Sequence, residues 1–323
     1  MLKQFTRALA VAMAAVFGTA ASAQDFPNKP VRIVVPWAPG GNVDITARTL
    51  QQALADALGQ PVIVDNRAGA GGTIGTAAVV KSAADGYTLL LGSSGTVTSG
   101  AAVFKNLSYD PLKDLLPVGP IQYVAMVLTA APKTPVSNFK EYLAYAKSKP
   151  GQVSIASAGN GSSNHLALEL MARQAGLQLV HVPYKGSGPA INDLLGSQVE
   201  SMMDQMTASI EHIRNGRIKA LGITSKTRSP LLPNVATLDE QGLTGFEAGT
   251  FTGLFAPAGT PPAVLDKLHA ALQKALANET VRARFQTMGV EVMNMSRPEF
   301  AAYVQADYQK WLKIAHEANI VIQ

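Results

Sequence analysis

Residues 31–75, VRIVVPWAPGGNVDITARTLQQALADALGQPVIVDNRAGAGGTIG, decide the fold. An apolar β-rich run at 31–37 leads through a Pro-Gly-Gly turn into a helical segment at 44–58, and a second β-rich run follows at 61–65. A third strand is predicted at 87–91. Strand, glycine-rich turn and helix, repeated, are typical of an α/β fold with a mostly parallel sheet.

The same alternation continues along the chain. Helices are predicted at residues 139–147, 163–175, 189–195, 207–215 and 260–278, and strands at 153–156, 178–182, 199–203 and 219–224. A last helix begins at Ser296, where Ser-Arg-Pro-Glu fits a capping box, and we expect its apolar face to pack against the first lobe. About 300 residues exceed a single core, so we predict two lobes around a hinged cleft. Residues 24–124 plus 252–323 form lobe 1, and residues 125–251 form lobe 2.

Residues 1–23 are predicted to be a cleavable secretory signal peptide. Lys3 and Arg7 provide a charged start, residues 8–17 are an apolar run, and Ala-Ser-Ala at 21–23 is a small-residue cleavage site. The apolar run is shorter than the roughly 20 residues that cross a bilayer. We therefore predict export to the periplasm and removal of the leader.

Composition excludes several classes of function. Hydrophobic residues make up 47% of the chain and charged residues 15%, which favours a well-buried globular protein. The net charge of +5 comes from scattered basic residues, so nucleic acid is not an expected partner. The absence of cysteine excludes thiol catalysis and zinc-thiolate sites, and no HxxxH or HExxH spacing occurs. No metal and no cofactor are predicted.

Two enzyme classes are alternatives for these residues: a dinucleotide-dependent enzyme and a hydrolase. The glycine-rich run at 69–75 fails the dinucleotide pattern GxGxxG because Ile74 occupies the third glycine position. A hydrolase triad of Ser162, His165 and Asp204 remains an alternative, although no GxSxG elbow is present. The competing interpretation is that Ser162 or Ser163 caps the following helix, as serine commonly does.

Four neutral, donor-rich loops follow predicted strands, at residues 37–44, 92–98, 158–165 and 184–188. Ligands of open α/β sheets bind in the crevice at this edge, where helix N-termini favour anions. A carboxylate could be held there reversibly by backbone N–H, serine, threonine and asparagine donors. The candidate ligand-binding residues in these loops are Trp37, Gly41, Asn42, Asp44, Ser93, Thr96, Asn160, Gly161, Ser162, Ser163, His165 and Lys185.

The segments around these loops carry a resemblance to a known family. They are PVRIVVPWAPGGNVD (30–44), GQPVIVDNRAGAGGTIG (59–75), DGYTLLL (85–91), YDPLKDL (109–115), ASAGNGSSNHL (156–166), HVPYKGSG (181–188) and GLFAPAGTP (253–261). In this order they closely resemble the periplasmic solute-binding proteins of tripartite tricarboxylate transporters, the Bordetella uptake gene group. The resemblance covers essentially the whole mature chain.

The resemblance implies a two-lobed periplasmic binding protein, a Venus-flytrap that closes on a small carboxylate without catalysis. It implies delivery to integral-membrane permease subunits, and carboxylate contacts from residues 37–44 and 160–163. Asp204 and Gln205 match the family's acidic-plus-amide pair facing the cleft. The family often has Gly and Thr at the positions of Asn42 and Val43, so a relative's substrate does not transfer to this chain.

Three hypotheses follow for the whole protein. The first is a monomeric carboxylate-binding protein in which Asn42 and Ser162 bridge the lobes. The second is an exported hydrolase that uses Ser162 or Ser163 with His165. The third is a sensor whose closed form docks on a membrane receptor. Citrate-like acids, C4 dicarboxylates, amino acids and aromatic acids are all candidate ligands, with Lys185 as a partner for a second carboxylate.

Overall fold

The first βα units form as the sequence predicts, in a computed structural model that describes residues 26–317. The elements are β1 (Val31–Val35), α1 (Asn42–Leu58), β2 (Val62–Asn66), α2 (Thr73–Val80) and β3 (Thr88–Ser93). Strand β1 pairs in parallel with both β2 and β3. The predicted signal peptide lies outside the described residues.

Three short helices follow β3: α3 (Ser94–Val97), α4 (Ser99–Val103) and α5 (Pro111–Asp114). The prediction of a loop over residues 92–98 is therefore wrong. The Ser93 N–H donates to Thr96 Oγ1 at 3.0 Å, and the Thr98 N–H donates to the Ser94 carbonyl at 3.0 Å. These local bonds give the polar segment a helical turn, with Ser93 directly before it.

The middle of the chain repeats the βα alternation. It contains β4 (Leu115–Ala130), α6 (Phe139–Ser148), β5 (Ser154–Ser157), α7 (Ser163–Ala175), β6 (Val180–Pro183), α8 (Ser187–Leu195), β7 (Ser201–Gln205), α9 (Met206–Arg214) and β8 (Lys219–Ile223). Strand β5 pairs in parallel with β6 and β7. The predicted bounds of α7 coincide with the observed ones.

The chain then returns through β9 (Gly249–Pro257), α10 (Pro262–Ala277), α11 (Glu279–Thr287), β10 (Glu291–Val292) and α12 (Arg297–Glu317). The apolar face of α12 packs on β9: Phe300 is fully buried against Phe251 and Phe255. None of the helices in residues 26–317 combines the length and apolar character that a bilayer-spanning helix needs.

One long strand, β4, joins the two sheets. Strand β4 pairs antiparallel with β9 as far as Ala125, and from Met126 onward it pairs antiparallel with β7 and β8. The strand order is β2-β1-β3-β9-β4-β7-β5-β6, with β8 and β10 also pairing with β4. The predicted crossings near residues 124 and 251 fall inside β4 and β9. The assignment of individual residues to each lobe stays a prediction.

Each half of the fold has its own apolar core. In the first half, Ile33 of β1 and Leu89 of β3 pack with Leu50 of α1. In the second half, Ile155 of β5 packs with Tyr142 of α6 and Leu168 of α7. Val34 and Leu90, which point to the opposite face of the first sheet, belong to a second buried cluster, so both faces of that sheet are covered. The polar segments beyond the strand ends meet between the two halves.

Candidate functional site

A small cavity lies between the two halves, with a volume of about 20 Å³, enough for about one water molecule. None of its lining residues carries a formal charge. The lining residues are Trp37, Gly41, Asn42, Val43, Ser93, Ala158, Ser163, Asn164, Ser187 and Gln205.

Most of the lining comes from the first residues of helices. Gly41 caps α1, and Asn42 and Val43 are its first two residues. Ser163 and Asn164 begin α7, and Ser187 begins α8. Gln205 directly precedes α9. The first N–H groups of a helix have no partner within the helix and carry the positive end of its dipole, so this cavity is suited to an anion.

Asn42 places an unused donor at this cavity. Its side chain is buried, and its Oδ1 accepts a hydrogen bond from Gln122 Nε2 at 2.8 Å. Gln122 also donates to Thr46 Oγ1 at 2.8 Å, which holds the glutamine on α1. Asn42 Nδ2 has no hydrogen-bond partner among the residues that the structure describes. A buried amide donor without a partner is costly unless a ligand or water meets it.

Asp44 is buried next to the cavity but does not line it. Its carboxylate accepts from the Gly40 N–H at 2.9 Å, from Arg48 Nε at 3.0 Å and from Asn66 Nδ2 at 2.9 Å. Burial acts to raise the pKa of Asp44, but the bonds from Arg48, Gly40 and Asn66 outweigh it and lower the pKa. Asp44 therefore fixes the loop between β1 and α1.

Asp204 lies behind the cavity. Its Oδ1 accepts from Ser187 Oγ at 2.5 Å and from Asn164 Nδ2 at 3.1 Å, and its Oδ2 accepts from Ser209 Oγ at 2.8 Å. Ser187 and Asn164 line the cavity, whereas the fully buried Asp204 does not. Burial raises the pKa of Asp204 to about 6, against the lowering effect of its hydrogen bonds. This carboxylate joins the starts of α7, α8 and α9.

The hydrolase alternative is not supported by the geometry. Ser162 Oγ donates to the Gly159 carbonyl at 2.6 Å and accepts from the His165 N–H at 3.2 Å, so Ser162 caps α7. His165 Nδ1 accepts from the Gly161 N–H at 3.2 Å. Asp204 is bonded to other partners, so the proposed triad of Ser162, His165 and Asp204 does not form.

A second histidine stacks on His165. The ring centroids of His165 and His181 are 4.2 Å apart, and His181 Nε2 is 2.7 Å from Ser157 Oγ. Burial, together with the electrostatic effect of the stacked His165 ring, lowers the pKa of His181 to about 4. Glu169 is 3.6 Å from His165 Nε2. This pair supports the loop at 158–162 from behind and does not line the cavity.

The structure brings part of the predicted site together. Among the sequence-predicted residues, the cavity is lined by Trp37, Gly41, Asn42, Ser93, Ser163 and Gln205. The others lie outside its lining: Asp44, Thr96, Asn160, Gly161, Ser162, His165, Lys185 and Asp204. Asn160 and Lys185 are exposed. Val43, Ala158, Asn164 and Ser187 also line the cavity but are not among the residues predicted from the sequence. All four residues lie within the loops 37–44, 158–165 and 184–188, and this position was the one feature of the sequence that could have identified them.

The loops of the two halves touch around the cavity. The Ala38 N–H donates to the Lys185 carbonyl at 3.0 Å. A β-carbon on Gly95 would lie 2.9 Å from the Ser163 nitrogen, and one on Gly71 would lie 2.1 Å from the Asn160 carbonyl oxygen. Such short approaches leave no space for side chains at these positions. The two halves are therefore closed on each other in this structure.

Known proteins match almost the whole chain. The family model described as "Tripartite tricarboxylate transporter family receptor" matches residues 46–320. BugT from Bordetella pertussis is 40% identical over 319 residues, which is 97% of this chain and 98% of BugT.

Solved structures share the fold. The periplasmic binding protein BugD has a TM-score of 0.90 and 38% identity, covering 92% of this chain and all of the BugD chain. MatC from Rhodopseudomonas palustris, with bound malate, has a TM-score of 0.86 and 36% identity, covering 90% of this chain and 99% of MatC. R. palustris Rpa4515, with adipate, has a TM-score of 0.88 and 31% identity over 92% of this chain and 99% of Rpa4515.

Proposed function

Because the chain belongs to the receptor family of tripartite tricarboxylate transporters, we propose that it captures a small dicarboxylate in the cavity between its lobes. The family and the structural neighbours are periplasmic solute-binding proteins, not enzymes, in agreement with the prediction of a non-catalytic protein.

The observation that carries the proposal is the uncharged cavity at the convergence of helix starts from both halves. The first residues of α1, α7 and α8 all line this cavity, together with Asn42, whose amide donor has no partner within residues 26–317. Carboxylates are bound well by such donors because the donors are prearranged and neutral. Donors on opposite lobes match a ligand with a carboxylate at each end.

The proteins MatC and Rpa4515, which hold malate and adipate, support the dicarboxylate class. Malate and adipate differ in length but share two carboxylates. A dicarboxylate is larger than the present cavity, so its entry requires the lobes to separate. In this proposal, the lobes then close again around the ligand, with their loop contacts re-formed and the cavity widened to hold it, and binding shifts the population toward this ligand-bound closed form.

The family also supports a transport role. We propose that the exported, leader-free protein delivers its ligand to integral-membrane permease subunits, as the family description implies. Coimmunoprecipitation with the two membrane subunits encoded nearest this gene would test the partnership, with ligand-free protein as the control.

Thermal unfolding of refolded, ligand-stripped protein tests the ligand class. The panel contains malate, adipate, citrate, an amino acid, and the dimethyl esters of malate and adipate as neutral controls. A ligand at 100 times its Kd adds about 2.7 kcal/mol of stability, which raises the Tm by several degrees. We expect shifts with one or more dicarboxylates and none with the esters. A flat panel with folded protein would contradict the proposal.

A further inference from the structure

We propose that carboxylate binding in this cavity is accompanied by uptake of one proton at Asp204, so that Asp204 acts as a positioning residue coupling ligand affinity to pH. The inference rests on the proposed function, because it concerns the same cavity. It goes further because it assigns a role to Asp204. This buried carboxylate does not line the cavity, but its partners Ser187 and Asn164 do.

The argument begins with the single proton of the Ser187 hydroxyl. Ser187 Oγ lies 2.5 Å from Asp204 Oδ1 and also lines the cavity. A serine hydroxyl donates one hydrogen bond, whereas an ionised carboxylate only accepts. While Asp204 is ionised, the Ser187 proton is therefore donated to Asp204. Ser187 then presents only lone pairs to the cavity, and a ligand carboxylate gains no donor there.

Protonation of Asp204 reverses this bond. The proton comes from solvent and binds Asp204 Oδ1, whose O–H then donates to Ser187 Oγ. The Ser187 O–H no longer donates to Asp204. It rotates toward the cavity and donates to the ligand carboxylate. The one covalent change is the transfer of a proton: a bond to hydrogen breaks in the solvent or buffer acid, and the O–H of Asp204 forms. The protonated state also removes a negative charge from beside the bound anion, which favours binding further.

The surroundings of Asp204 allow this proton to bind near neutral pH. The partners of its carboxylate are uncharged: the Ser187 and Ser209 hydroxyls, the Asn164 amide and the Gln205 N–H. Burial raises its pKa to about 6, so Asp204 is mostly ionised in the free protein at pH 7, and a further rise of this pKa by about two on ligand binding leaves it mostly protonated in the complex.

The titratable groups on the packed elements bond elsewhere or lie at exposed positions. On α7, His165 pairs with Glu169, and on α8, Asp193 accepts from Tyr184 at 2.6 Å. On α9, Glu211 is exposed and His212 and Arg214 lie towards the C-terminal end of the helix. On β4, the residue paired with Asp204 is Val127. Of the titratable groups on these elements, Asp204 is the one whose carboxylate is bonded to the cavity-lining side chains of Ser187 and Asn164.

The test is titration calorimetry with malate and adipate between pH 6 and 8.5, in pairs of buffers with different ionisation enthalpies. Above about pH 6.5 both carboxylates of each ligand are almost fully ionised, so proton uptake measured there is assigned to the protein. For the native protein we expect uptake approaching one proton per ligand near pH 7, and a Kd that rises by up to about tenfold per pH unit. Asp204→Asn supplies a permanent N–H donor to Ser187, so we expect binding without proton uptake and with a Kd independent of pH.

Two further variants keep the test decisive if Asp204→Asn does not fold. Ser187→Ala removes the shared hydroxyl, and we expect it to reduce the pH dependence to the part that comes from the charge of Asp204. Ser209→Ala removes a donor to the far oxygen of Asp204 and leaves the cavity intact, so the rise in Kd should begin at a higher pH. Tight native binding without proton exchange, or an unchanged pH slope in both Asp204→Asn and Ser187→Ala, would overturn the coupling while the proposed function stands. The absence of carboxylate binding at every pH would overturn both.

Discussion

Gly188 lies so close to Pro39 that a β-carbon at position 188 would be 2.1 Å from the Pro39 carbonyl oxygen. Pro39 belongs to the loop before α1, and Gly188 is the second residue of α8. The first turn of a helix in one half therefore touches the backbone of the other half directly. This contact lies at the edge of the cavity, because Ser187, the residue before Gly188, lines it. We therefore expect closure of the cavity to require this contact.

Substitution of Gly188 with alanine should hinder closure. The added methyl group clashes with backbone, which has no flexible end to move away, so the closed form becomes a minor state. Because apparent affinity falls with the closed fraction, we expect ligand binding to weaken by about tenfold or more. Calorimetric titration and small-angle scattering would measure affinity and closure.

The matched control is Gly196→Ala, at the other end of α8. A β-carbon there meets its nearest neighbour at 3.5 Å, an ordinary contact. Both variants should have native circular dichroism, and the control should bind as the unmodified protein does. Equal affinity of the two variants would show that closure does not use the Gly188 contact.

Removal of the Asn42 amide should weaken ligand binding. In Asn42→Ala the cavity loses its buried free donor, and Gln122 loses an acceptor. A lost hydrogen bond to a charged group costs about 1.5–3 kcal/mol, so we expect a roughly ten- to hundredfold higher Kd. Asn192→Ala, at an exposed position on α8, is the control and should leave the Kd unchanged. Native affinity in Asn42→Ala would place the ligand elsewhere.

Substitution of Ser162 should affect folding stability, whereas substitution of Ser163 should affect ligand binding. Ser162 caps α7, so Ser162→Ala should lower the free energy of unfolding by about 1 kcal/mol, and Ser162→Gly by only a few tenths. Ser163 lines the cavity, so Ser163→Ala should weaken ligand binding with little loss of stability. Urea unfolding and titration separate the two effects. Weakened binding in the Ser162 variants alone would restore the sequence-based bridge of Asn42 and Ser162.

The pH dependence of stability should carry the signature of Asp204. Its pKa is raised from 3.8 to about 6 on folding. The favourable contribution of the neutral acid is therefore fully present below about pH 4 and is lost as the pH rises through 6. A shift of about two units corresponds to about 3 kcal/mol. Relative to the native protein, Asp204→Asn should gain about this much stability between pH 4 and pH 8, measured by urea unfolding. A constant difference across this range would contradict the raised pKa.

The local elements of the fold could be predicted because each has a local cause. Helix α7 starts at Ser163 because the Ser162 side chain caps it, and it ends before Gly176, which adopts the left-handed conformation at φ 64°. The pairing of β4 with β9 was not foreseen. This pairing joins residues more than a hundred positions apart in the sequence. An apolar run indicates a strand but not which strand it pairs with, or whether the pairing is parallel or antiparallel.

The candidate site was predicted at the level of loops rather than side chains. Asn42 and Ser163 lie where their motifs placed them. Asp204 was expected to face the cleft, but the starts of α7, α8 and α9 cover it and take up its oxygens. Ser187 and Asn164 were missed because their role depends on this buried carboxylate, a tertiary contact that residue spacing does not encode.

Recognition of carboxylates in this cavity is tested by titrating malate and adipate, beside their dimethyl esters, into refolded, ligand-stripped protein. The esters keep the carbon chain but lose both charges, so they isolate recognition of carboxylates by the converging helix starts. We predict saturable one-to-one binding of at least one diacid and no detectable binding of its ester. Equal binding of acid and ester, or binding of neither acid by folded protein, would contradict the account.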